Sequence, residues 1–166
     1  MRETVRDRER LQHIIEAIDR VLDFTKDKSK EVLEDDKIAF YGIVKNIEII
    51  GEAAYHITKA FCSAHSETPW KDVVRMRNIL VHDYYRISTN EIWRVVENDL
   101  IPLREQVARY LSDTDWDEWQ SNEQAIAESA VHKNLIQTAR RMKSDGMDVR
   151  QISRYTGLSI DEIEQI

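Results

Sequence analysis

The chain of 166 residues has only one cysteine, two prolines, four glycines and three phenylalanines. A single thiol, Cys62, cannot form an intrachain disulfide. That excludes a disulfide-stapled scaffold and suits a reducing cytoplasm, where the protein is expected to reside. No apolar run approaches the roughly 20 residues needed to span a bilayer, so no membrane partner is expected. The opening MRETVRDRER is charged and leads into an amphipathic stretch, unlike a secretory leader. Basic excess is missing too: the formal net charge is −7, which argues against a simple basic nucleic-acid binder. The acidity is uneven, with a net of −2 over residues 1–112 and −5 over 113–166. A local basic cleft in the first segment is therefore compatible with the total.

What is abundant is Glu, Lys, Arg, Ile and Leu, and with so little Gly and Pro this predicts an all-α fold. Val5, Leu11, Ile14, Ile15, Ile18, Val21 and Leu22 recur at helical spacing and predict a first helix over Thr4–Phe24. A second is expected over Glu31–Phe61, with Gly51 inside it. A mid-helix glycine costs about 1 kcal/mol relative to alanine, so close packing against a neighbour is the expected compensation. Thr68 and Pro69 read as the N-cap and first position of a third helix. Ser88 and Glu91 read as a capping box opening a fourth, which runs to Tyr110 with a kink or break at Pro102. Four such helices joined by short connections predict an up-and-down bundle over 1–112. DTDWDEW (113–119) reads as an acidic linker with two Trp anchors, followed by a small helical tail over 113–166. Within that tail Gly157 suits a helix end and Ser159 with Glu162 forms another capping box, giving a helix–turn–helix-like close.

One stretch breaks the apolar logic. On the third helix Val73, Met76, Leu80, Tyr84 and Ile87 share a face, and Arg77 falls inside that stripe. An unpaired buried guanidinium is very costly, so Arg77 needs an acidic partner, a wet cleft or an anion. Glu48 and Glu52 on the second helix are the candidate partners. Around it the residues spell Arg77-Asn78, three apolar residues, His82, Asp83 and Tyr84.

The pattern R-N-x3-H-x-Y resembles the HepT-like toxins of the HEPN superfamily of ribonucleases. IEIIGEAA (47–54), TPWKDVVRMRN (68–78) and IWRVVENDLIPL (92–103) strengthen the resemblance, which covers residues 5–111. It implies a HEPN-like four-helix bundle and an endoribonuclease that acts as a homodimer whose paired motifs line one cleft. It also implies a toxin–antitoxin pair, in which a minimal nucleotidyltransferase antitoxin adenylylates the motif tyrosine, here Tyr84.

The residue chemistry agrees. Imidazole titrates near neutrality and serves as acid or base, while a forked, permanently charged guanidinium suits a phosphate. His82 is thus expected as acid/base, Arg77 as phosphate clamp, and Asn78 as a residue orienting the backbone or the imidazole. Five residues place Arg77 and His82 about 140° apart on a continuous helix. They converge only if the helix unwinds near His82 or if two chains share one cleft. No cofactor and no metal ligand set is apparent, His13, His56, His65 and His132 being scattered. The alternative reading is a catalytically silent helical dimer that forms the binding half of a nucleotidyltransferase pair.

Overall fold

A computed structural model describes residues 6–82 and 87–166, apart from the Ala127 side chain. Every regular element among the described residues is an α-helix. The chain divides into two compact units, Met1–Thr114 and Asp115–Ile166. No helix among the described residues is long and apolar enough to cross a membrane.

The first unit holds α1 (Asp7–Thr25), α2 (Glu31–Asp35), α3 (Lys37–Tyr55), α4 (Lys59–Ala64), α5 (Trp70–His82), α6 (Thr89–Asn98) and α7 (Leu100–Asp113). Helix α3 is central and packs against both α1 and α5, while α1 also packs against α7. Burial follows the 3.6-residue period: Leu11, Ile14, Ile18 and Val21 from α1 meet Ile43, Ile47 and Ile50 from α3 in the core. Phe61, Val107 and Tyr110 are also buried. Asp7, itself buried, ties the start of α1 to α4 by accepting from the Thr58 backbone N–H at 2.8 Å and the Thr58 hydroxyl at 2.6 Å.

Three sequence expectations need correction. The helix expected over Glu31–Phe61 is three helices. Asp36 leaves helical geometry and accepts from Ile38 and Ala39 N–H groups, and Thr58 caps α4 by accepting from Phe61 N–H. Those side chains satisfy the orphan donors of new helix starts, which apolar periodicity alone does not reveal. The helix expected over Ser88–Tyr110 breaks at Asp99 rather than at Pro102. Pro102 has no N–H for the carbonyl four residues earlier and its ring crowds that carbonyl, so the break falls ahead of it. Finally, DTDWDEW is mostly helix. Asp115 accepts from the Asp117 and Glu118 N–H groups and opens α8 at Trp116. The acidic residues are a helix start, where carboxylates sit well against the dipole.

Thr68, just ahead of α5, makes a further contact. Its buried hydroxyl meets Gln106 Oε1 at 2.7 Å and the Tyr110 hydroxyl at 2.6 Å, so it anchors α7. Ser88 and Glu91 do form the reciprocal capping box at α6.

The second unit contains α8 (Trp116–Ser144), α9 (Val149–Thr156) and α10 (Ile160–Glu164). Ala139, Ile152, Leu158 and Ile163 form its small core, with Leu135, Met142 and Met147 packed around them. Gly157 takes φ 74°, the left-handed conformation that ends α9, and Ser159 with Glu162 caps α10.

Candidate active site

The site is built where α3 and α5 approach most closely. That approach depends on Gly51: a Cβ there would lie 2.3 Å from Arg77 Cβ and 3.1 Å from the Val73 carbonyl oxygen. Glycine lets the α5 backbone and the base of the Arg77 side chain lie directly on α3. This is the compensation anticipated for a mid-helix glycine.

From that contact the Arg77 side chain runs to Glu52, the residue after Gly51. Its Nε donates to Glu52 Oε2 at 2.9 Å, and its Nη1 donates to Asn78 Oδ1 at 3.0 Å. The side chains of Arg77 and Glu52 are 29% and 44% exposed, so the pair lies at the protein–water boundary. Of the two candidate partners, Glu52 takes Arg77. Glu48 pairs instead with Lys45 at 2.9 Å. Asn78 touches the guanidinium, rather than the backbone or an imidazole among the described residues.

Glu52 has a second partner. Its Oε1 lies 3.2 Å from His56 Nε2, so His56, Glu52, Arg77 and Asn78 form one continuous polar chain. The ring of Tyr55 stands against His56, with centroids 5.1 Å apart and planes at 80°. In the sequence His56 is one of several scattered histidines and Tyr55 carries no motif. Spacing was the available signal, because Glu52 and His56 are four apart on α3 and therefore share a face.

His82 is the last residue of α5 and is exposed, and its imidazole has no hydrogen-bond partner among the described residues. Among the described residues no contact links it to the Arg77 chain. Tyr84 lies outside the described residues. One groove of the first unit, about 510 Å³, runs beside α5 and is lined by Ile50, Val73, Met76, Ile79, Val95 and Leu103 among others. An adjoining groove continues along Leu80, Ile92 and Arg94. Neither includes Arg77 or His82, so the polar chain lies on a different face of α5. Among the described residues no group of three His, Cys, Asp or Glu side chains is placed to hold a metal ion.

A ribonuclease HepT-like family model matches residues 14–110, more than half of the chain and the whole of the Gly51–Arg77 contact. The chain belongs to the HepT-like ribonuclease family. Among curated relatives of this HepT-like chain is a Thermococcus cleftensis protein named "Probable ribonuclease HepT". It is 34% identical over 94 residues, or 57% of this chain and 86% of the relative. A Methanocaldococcus jannaschii protein named as an inferred RNase is 34% identical over 97 residues, 58% of this chain and 89% of its own length. Another from the same organism carries a name that joins a gamma-glutamylcyclotransferase to an inferred RNase. It is 31% identical over 105 residues, and the match spans 63% of this chain but only 47% of that longer protein. No solved structure matches the HepT-like chain.

Proposed function

We propose that this HepT-like chain is the toxin of a toxin–antitoxin pair and cleaves RNA with Arg77 and His82 as its central residues, in a HEPN-like four-helix bundle. The carrying observation is the state of the Arg77 fork. Glu52 and Asn78 fix its orientation through Nε and Nη1, while Nη2 has no partner among the described residues and the group is partly exposed. A preorganised, charged donor that is not fully used suits a phosphate oxygen whose charge grows in the transition state. Asn78 acts as a positioning residue for that fork.

His82 supplies proton transfer. One His82 imidazole takes the proton of a 2′-hydroxyl, the new oxygen–phosphorus bond forms, and the bond to the 5′-oxygen breaks as a second, protonated His82 imidazole gives that oxygen a proton. Arg77 and His82 provide the charge and proton transfer, so the reaction is expected to proceed without a metal. Because no contact among the described residues links His82 to Arg77, the reading places the paired motifs at a homodimer cleft. Ile38 and Tyr41 of α3 support association, being 82% and 60% exposed large apolar side chains. The partner antitoxin is a minimal nucleotidyltransferase, which silences the site by adenylylating Tyr84.

The direct test identifies the product ends after incubation with RNA in EDTA. Attack by the 2′-hydroxyl predicts a 2′,3′-cyclic phosphate and a 5′-hydroxyl, and an RNA carrying one 2′-deoxy sugar at the cleaved position should resist. Intact RNA from well-folded protein would contradict the reading and favour the silent binding subunit. Mass spectrometry of Tyr84 after co-expression with a nucleotidyltransferase partner tests the proposed off-switch.

A further inference from the structure

The polar chain at the Gly51 contact ends in two exposed rings that the cleavage chemistry above does not use. Tyr55 is 64% exposed at the last position of α3, and His56 follows it as the cap residue. An exposed tyrosine by itself needs no explanation, since apolar atoms contribute much of any protein surface. Here its surroundings matter. Glu52 and Tyr55 are three residues apart, about 4.5 Å of helical rise, so the ring lies on the same side of α3 as the carboxylate holding Arg77. His56 bridges the two, with one ring nitrogen on Glu52 and its plane at 80° to the phenol.

We propose that Tyr55 and His56 form a nucleobase subsite beside the Arg77 phosphate clamp, and that the subsite selects single-stranded RNA. The proposal rests on the ribonuclease reading. Single-stranded RNA is recognised by splaying out an unstacked base and laying it on an aromatic ring, whereas a paired base is unavailable for this. The phenol ring offers the platform, and the imidazole, nearly perpendicular to it, is a side wall for a base lying on the tyrosine. Glu52 holds that wall through Nε2. The base on Tyr55 and the phosphate on the open Nη2 of Arg77 would then belong to the same short stretch of strand. Stacking on a ring tolerates any base, so the subsite discriminates strandedness rather than sequence.

The test uses the full chain with His82→Ala, so that bound RNA is not consumed, and measures fluorescence anisotropy with labelled oligouridylate and with a blunt-ended RNA duplex. Adding Tyr55→Ala should weaken oligouridylate binding by about 5- to 100-fold and leave the duplex within about 2-fold. Tyr55→Trp should restore binding, because it restores the ring. In the active chain, Tyr55→Ala should raise KM for the single strand while kcat changes little. Equal losses for oligouridylate and duplex, or no loss for either, would overturn the subsite. So would a change in molecular mass by light scattering on Tyr55→Ala, because it assigns the ring to contact with a second copy. If the parent chain neither binds nor cleaves RNA, the ribonuclease reading fails. If Tyr55→Ala binds and cleaves like the parent, only the subsite does.

Discussion

Replacing Gly51 by alanine separates two opposing effects of known sign. Helix propensity alone favours alanine by about 1 kcal/mol. Packing opposes it, because the new Cβ would sit 2.3 Å from Arg77 Cβ. Carbon atoms prefer about 3.5–4.0 Å, so α3 and α5 would have to separate by roughly 1.5 Å. The obstructing atoms cannot simply swing aside: one is a Cβ and another, at 3.1 Å, is the Val73 backbone oxygen. Overpacking commonly costs about 1–3 kcal/mol, and this clash belongs at or above the upper end. The net expectation is a loss of about 2 kcal/mol, or a fall in Tm of roughly 4–8 °C for a chain of this size. Far-ultraviolet circular dichroism during heating measures it. Arg77 is displaced by the same movement, and an error of about 1 Å in a positioning group can cost about 100-fold in rate. Cleavage measured well below the new Tm should therefore fall too. A Tm that is unchanged or raised would refute the close approach and leave propensity as the governing effect.

Further outcomes follow from other contacts. Glu52→Gln should lower Tm by little, since a half-exposed ion pair is worth about 1 kcal/mol or less, yet reduce cleavage through loss of the Arg77 anchor. If the site is shared across a dimer axis, mixing inactive Arg77→Ala and His82→Ala chains and allowing exchange should recover part of the activity. Gel-based cleavage assays read both results. Burial, reinforced by the nearby Asp7 carboxylate, pushes the Cys62 thiol above its usual pKa. Less thiolate is then present near neutral pH, so iodoacetamide should label Cys62 more slowly than a free cysteine, and Asp7→Asn should narrow the difference where the fold survives. In the second unit, hydrogen bonds from the Ser159 side chain and then its backbone hold the Glu162 carboxyl below the usual range. A depressed folded pKa stabilises above the unfolded pKa and is lost as pH falls through the folded one. The start of α10 should therefore loosen only on acidification, visible as faster exchange of the Glu162 amide, and Ser159→Ala, which leaves only the backbone hydrogen bond, should weaken that dependence.

Much of this arrangement is written in local pattern. The apolar faces of α1 and α3, the capping boxes at Ser88 and Ser159, and the glycine stop at Gly157 each rest on neighbours a few residues away. Gly51 and Arg77 were also legible, as two residues out of place in apolar stripes that turn out to touch each other. Asp36, Thr58 and Asp115 were harder to read, because their capping bonds interrupt or start helices without any change in apolar period. The roles of Tyr55 and His56 depend on the α3–α5 contact, so composition and spacing alone left His56 among scattered histidines. The separation of Arg77 and His82 persists in the folded chain, because α5 remains helical through His82.

The central claim is that Arg77 and His82 together break an RNA phosphodiester. The most direct measurement compares the rate at which one RNA bond is cut, in EDTA, by the parent chain, Arg77→Ala and His82→Ala, each shown by melting to be folded. General acid–base catalysis is worth about 100- to 10,000-fold, so His82→Ala should lose at least about 100-fold. Loss of the clamp should make Arg77→Ala comparably slow. Cleavage by either variant at the parental rate would contradict the account.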